Sequence, residues 1–144
     1  MTDPYAAGKL VSNPYTKKSD VAGPLVAILD GRMEDRGLNL MKPISRCVKT
    51  YDVHEIILTD EQEAGPGRKV NRIAYLGFFE VAGGGVIVAG DKVLLDDVCV
   101  GVLAGFDETH MPNHLNIVIK TDKLLTGVEC GAGLGNIITF KIKT

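Results

Sequence analysis

The segment from Asp107 to Asn116 gathers Asp107, Glu108, Thr109, His110, Asn113, His114 and Asn116 around a single proline, Pro112. A turn between two strands needs only Gly, Asn or Asp to meet its backbone angles. This connection carries more than turning requires. Imidazoles titrate near neutral pH, and a carboxylate beside one fixes its tautomer and raises its basicity. These residue types predict acid–base chemistry of a lyase, isomerase or hydratase kind on a small-molecule substrate. His110 or His114 would be the acid/base, with Asp107 as orienter. Asn113, Asn116, Thr109 and Glu108 are the candidate substrate contacts, and Arg46 is the partner for an anionic portion of the substrate.

The same loop has the donors of a metal site. His110 and His114 are four apart, as in helical zinc pairs, although Pro112 between them points to irregular backbone. With Asp107 and Glu108 they make a mixed N/O set that suits Zn, Fe or Mn, so a divalent metal is the candidate cofactor. His54 and Glu55 are the nearest further ligands in sequence, and no His-Glu-x-x-His pattern is present.

Every one of these groups also has a structural use. Asp and Asn close turns, threonine bonds backbone, and imidazoles satisfy buried polar groups or lie in interfaces. On that reading the chain is a non-catalytic small-ligand-binding or self-assembling β-barrel. The isomer of the Met111–Pro112 bond decides where both rings point. Cys47 beside Arg46, with His54 as base, is a further nucleophile candidate whose ordinary alternative is strand packing. Cys130 precedes a glycine cluster, Gly131 to Gly135, that lacks the dinucleotide fingerprint.

The elements that must position the loop are short apolar runs. Val98 to Phe106 leads into it and Leu115 to Lys120 leads out. Further strands are expected at Pro24 to Leu29, Ile44 to Thr50, Val53 to Leu58, Val86 to Ala89, Lys92 to Leu95, Gly127 to Cys130 and Asn136 to Lys143. Arg36 to Met41 reads as a partner of Pro24 to Leu29. Val70 to Val81 suits a short helix or a strand, and the charged, Gly/Pro-rich stretch from Asp60 to Lys69 suits a flap. Seventeen glycines, set beside apolar runs without a three-residue period, favour turns and bulges. The expected fold is all-β: one small closed or partly open barrel of six or more mainly antiparallel strands with few short helices. It forms a single domain over 1–144, and 1–22 is read as an irregular arm with a short strand near Lys9 to Ser12.

Composition excludes some partners. A net charge of −2 without a Lys/Arg stripe gives no reason to expect nucleic acid. No uncharged apolar run approaches the roughly 18 residues of a membrane span, and Met1 to Asn13 has no apolar leader core. Cys47, Cys99 and Cys130 are odd in number, and Cys99, inside an apolar strand, reads as a small hydrophobe of a reducing, cytoplasmic compartment. The high apolar content and the arm suit a homo-oligomer.

The C-terminal part has a recognisable order of motifs: Gly90-Asp91-Lys92-Val93-Leu94-Leu95, Val102-Leu103-Ala104-Gly105, Leu115-Asn116-Ile117-Val118-Ile119 and Gly135-Asn136-Ile137-Ile138-Thr139-Phe140. This resembles the second half of the glucitol/sorbitol phosphocarrier component of the bacterial phosphotransferase system, a small β-barrel. The resemblance implies a barrel. The stretch corresponding to that family's phosphorylated histidine, Phe78 to Val88, contains no histidine, so phosphocarrier chemistry transfers to no residue here.

Overall fold

The computed structural model describes residues 18–143, and every regular element among them is a strand. In chain order these are β1 (Val21–Ile28), β2 (Arg32–Met33), β3 (Leu38–Asn39), β4 (Ser45–Val48), β5 (Val53–Thr59) and β6 (Lys69–Val70). There follow β7 (Ile73–Glu80), β8 (Gly85–Val88), β9 (Lys92–Leu95), β10 (Val98–Asp107), β11 (Asn116–Lys120) and β12 (Ile137–Lys141). Seven of them make a ring in the order β1-β12-β9-β10-β11-β5-β7, with β7 pairing back onto β1. Within the ring only β11 and β5 run parallel. The all-β barrel expected from the sequence is therefore the observed architecture.

Side chains alternate across each strand, so one set fills the ring and the other faces outward. Ile56, Leu58, Leu76, Phe79, Leu103, Phe106, Ile117, Ile119, Ile138 and Phe140 form the interior core. A second core lies outside the wall, where Leu38, Leu40, Ala64 and Val70 cover Ile57, Ile73, Ala104 and Val118. Strands β5 and β11 are thus buried on both faces. This is why they read as unbroken apolar runs instead of alternating ones.

Several expectations change. Of the two alternatives for Val70 to Val81 the strand holds: the stretch carries the end of β6 and all of β7, its β-branched and aromatic residues pairing across β5 and β1. Arg36 to Met41 does not pair with Pro24 to Leu29; its Leu38–Asn39 pairs with β6, while β1 lies between β12 and β7. The 60–69 stretch is packed, not a free flap: Ala64 is buried, and the Glu61 carboxylate accepts the N–H groups of Asn71 (3.0 Å) and Arg72 (2.7 Å). Gly127 to Cys130 is a turn, closed by the Cys130 N–H on the Thr126 carbonyl. Cys99 is exposed, not packed as a small hydrophobe. Val21 and Ala22, assigned to the arm, begin β1; the strand expected near Lys9 to Ser12 lies outside the described residues. Among the described residues no helix is long and apolar enough to cross a membrane.

Candidate functional site

Register sets four side chains in one row across the outer wall. Phe78 of β7 is the Cα partner of Glu55 on β5, Glu55 of Asn116 on β11, and Asn116 of Asp107 on β10. The loop between β10 and β11 folds over this row, with a cis bond at Met111–Pro112. His114 packs edge-on to Phe78 with ring centroids 5.1 Å apart, and His110 is tilted over His114 at 5.0 Å.

Glu55 is the buried centre of the arrangement. Its carboxyl lies 3.3 Å from Nε2 of His114, both side chains being largely enclosed. The contact is out of line for a hydrogen bond, so Nε2 is buried without a hydrogen-bond partner. Nδ1 of His114 accepts from the Asn113 amide at 2.9 Å, which places the proton of the neutral ring on Nε2, facing Glu55. Burial pushes the Glu55 carboxyl above the ordinary range, against the pull of His110 and Arg36. Burial likewise holds the His114 imidazole below its ordinary value. Both shifts favour the uncharged forms.

Arg36 reaches over the same place. Its Nε donates to the Tyr75 hydroxyl (3.1 Å), and its Nη2 lies 3.3 Å from Nε2 of His110. Both partners are uncharged when His110 is neutral, and among the described residues Arg36 forms no ion pair with a carboxylate. Beside it opens a cleft of ≈ 410 Å³ whose lining includes Asp30, Gly31, Glu55, Tyr75, Phe78 and His110.

The loop acid has another task. Asp107 is buried, and its carboxylate accepts the Asn39 N–H (2.9 Å), the Thr109 N–H (2.8 Å) and the Asn116 amide (3.1 Å). Burial alone would raise its pKa; the bonds from Thr109, Asn39 and Asn116 outweigh burial and lower it. It bonds neither imidazole. Asn116 is fully buried, and its Oδ1 has no partner. Thr109 serves Asp107, while Glu108 pairs with Arg46 at 2.6 Å, which commits two of the expected substrate contacts to each other. The structure brings together His110, His114 and Asn113 from the predicted set. It adds Glu55, named from the sequence only as a further metal-ligand candidate, and Arg36, Tyr75 and Phe78, which the sequence reading had not placed there. For Glu55 a signal existed, an acid beside the apolar run Ile56-Ile57-Leu58; Arg36 carried none.

Among the described residues no three His, Cys, Asp or Glu side chains converge as a metal set. The expected metal pair, His110 and His114, belongs to no such set. Cys47 is exposed, and His54 is occupied elsewhere: Nδ1 accepts the Leu115 N–H at 3.0 Å, leaving the ring proton on Nε2, 3.5 Å from Asp52. Burial lowers the His54 pKa, Asp52 opposing it.

This gives a pH dependence with a definite sign. A histidine whose folded pKa is depressed contributes stability that is complete above its unfolded value, about 6.5, and is lost as pH falls through the folded value. Thermal unfolding of the native chain is therefore expected to come earlier as pH drops below about 6.5. Glu55 acts in the opposite sense: its raised pKa stabilises at acid pH, and that contribution is lost as pH rises through the folded value. His54→Gln removes the His54 part, leaving that of His114, and should flatten the slope. An unchanged slope would contradict the burial assigned to this ring.

No curated protein and no solved structure matches the chain. Residues 15–141 match the model of a family described as a family of unknown function (DUF6917), and the chain belongs to that family.

Proposed function

We propose that the protein is a non-catalytic small-ligand-binding β-barrel, and that the outer-wall cleft beside Glu55 takes a small molecule bearing an anionic group. The observation that carries this is Arg36. Its guanidinium, held by Tyr75 and His110, two residues of the cleft lining, and in no ion pair with a carboxylate among the described residues, sets a cation at the edge of the cleft. Phe78 offers an apolar wall, and burial shifts Glu55 toward its uncharged form, which lessens its repulsion of an anion. Catalysis is less well supported because Asp107, the expected orienter, spends its oxygens on Asn39, Thr109 and Asn116.

The test is a thermal-shift titration with succinate, benzoate and inorganic phosphate on the native chain and on Arg36→Met. At a ligand concentration 100-fold above Kd, a true ligand stabilises by about 2.7 kcal/mol. Arg36→Met should weaken it by about tenfold or more, since a charge-assisted pair is lost. Equal binding by both proteins would remove the proposal.

A second reading keeps acid–base chemistry, with Glu55 in place of Asp107. It is favoured by the 3.3 Å approach of Glu55 to His114 and the upward shift of that carboxyl. Self-association, the other half of the binding-protein reading, would use Val26, Leu134 and Ile137, which stand exposed around the junction of β1 and β12.

A further inference from the structure

The two ends of the barrel are finished differently. Near the end where His54, Val81 and Asp107 lie, Phe79 and Phe106 fill the interior, and the β4–β8 ribbon adds Val48 and Ile87 to the core. The ribbon is tied there by the Tyr51 N–H on the Val81 carbonyl and by Arg46 on Glu108. At the opposite end, where Thr59, Val102 and Lys120 come into register, the segment after β11 packs Leu124, Cys130 and Ala132 on the core. A cavity of ≈ 460 Å³ opens there, walled by Leu58, Leu76, Val100, Leu125 and the half-buried Cys130. It lies within the range of about 300–1,000 Å³ used by small-molecule sites, and barrel mouths are a recurrent place for them. It shares no lining residue with the cleft beside Glu55.

The polar groups of this mouth are unevenly charged. Lys120 and Lys123 line it, with Asp122 as its one carboxylate. The Lys120 ammonium reaches only the Gln62 carbonyl, at 3.3 Å, and neither lysine forms an ion pair with a carboxylate among the described residues. Lys120 ends β11, and the Thr121 hydroxyl on the Lys123 carbonyl and the Thr121 N–H on the Thr59 carbonyl hold the turn that carries Lys123 against β5. An apolar wall calls for a hydrocarbon body, and two ammonium groups against one carboxylate leave room for one negative head. We infer that the barrel mouth is a second ligand site, for a small amphipathic monocarboxylate. Its tail lies against Val100, Leu125 and Cys130, and its carboxylate lies between Lys120 and Lys123.

The test uses the full ¹⁵N-labelled chain titrated with octanoate, kept below its micelle concentration, and in parallel with 1-octanol and with acetate. Octanoate should give saturable amide shifts at residues 58, 76, 100–102, 120–125 and 130. Octanol should bind about tenfold more weakly, for want of a charged head, and acetate should leave these amides unmoved. The double variant Lys120→Gln/Lys123→Gln changes two side chains outside the core, so its fold is verified by its unshifted core amides. It should lose about tenfold in octanoate affinity and keep its octanol affinity. Three results would overturn the inference: no saturable octanoate shift, octanoate and octanol bound alike, or octanoate affinity intact in the double variant. Shifts confined to residues 29–31, 55, 75, 78 and 110 would also overturn it, by moving the ligand to the other cleft.

Discussion

Asp107→Ala is expected to cost about 3 kcal/mol or more of folding free energy, because it orphans three donors at once, each worth about 1–3 kcal/mol when left buried and unpaired. The carboxylate ties β10 to the β3 segment through the Asn39 N–H, starts the histidine loop through the Thr109 N–H, and holds the Asn116 amide on β11. Without it the loop loses its anchor on the wall, and His110 and His114 lose their placement over Glu55. Asp107→Asn keeps acceptor oxygen and should cost visibly less. Urea unfolding gives the free energies, and amide exchange at Asn39 and Thr109 shows whether these N–H groups lose protection. A loss below about 1 kcal/mol, the size of a single exposed hydrogen bond, would contradict the anchoring role.

Gly77→Ala is the second large effect, and it tests the closure of the ring. A Cβ placed on Gly77 would stand 2.1 Å from the Ala27 carbonyl oxygen, across the β1–β7 seam. The obstacle is backbone, so no side chain can swing aside. Overpacking commonly costs about 1–3 kcal/mol, and a clash with main chain belongs at or above the top of that range. The seam already bends there, at the bulge between Leu25 and Ala27. Amide protection at Ala27, Ile28 and Leu29 should be lost before that of β10 and β11. Gly83→Ala is the control, since a Cβ there meets nothing within 4 Å, and its effect should stay within about 0.5 kcal/mol. Equal stability of the two variants would show that β1 and β7 are not in close contact.

The parts of this molecule legible in the sequence were those governed by local signals. Lys92 to Leu95 lies between the turn pairs Gly90-Asp91 and Asp96-Asp97, and β9 has those same bounds. The loop from Asp107 to Asn116 was recognisable because polar groups interrupt two long apolar runs. What the sequence hid is register and the second core. Glu55 meets His114 only because β5 pairs in parallel with β11, a neighbour sixty residues away in the chain. Asp107 read as a partner for histidine because it adjoins them in sequence, yet its donors come from Asn39, Thr109 and Asn116 once β3 crosses the wall. Arg36 opens a stretch that read as a partner of Pro24 to Leu29, whereas Leu38–Asn39 pairs with β6 and the Arg36 guanidinium is placed by Tyr75, a residue of β7. The 60–69 stretch looked like a flap for the same reason. Its composition is that of a loop, while Ala64 inside it is buried against the outer face of the barrel.

The measurement that bears most directly on the central claim is the fate of a bound ligand. The tightest of succinate, benzoate and phosphate would be held with a stoichiometric amount of the native chain in deuterated water and followed by NMR. Phosphate would be followed by its ³¹P signal and the carboxylates by their ¹H and ¹³C signals. The predicted result is binding that depends on Arg36, shifts centred on Glu55, Tyr75, Phe78 and His110, and a ligand recovered chemically unchanged with no deuterium at carbon. Deuterium incorporation or a new product, abolished in Glu55→Gln, would contradict it and make Glu55 and His114 the acid–base pair of an enzyme.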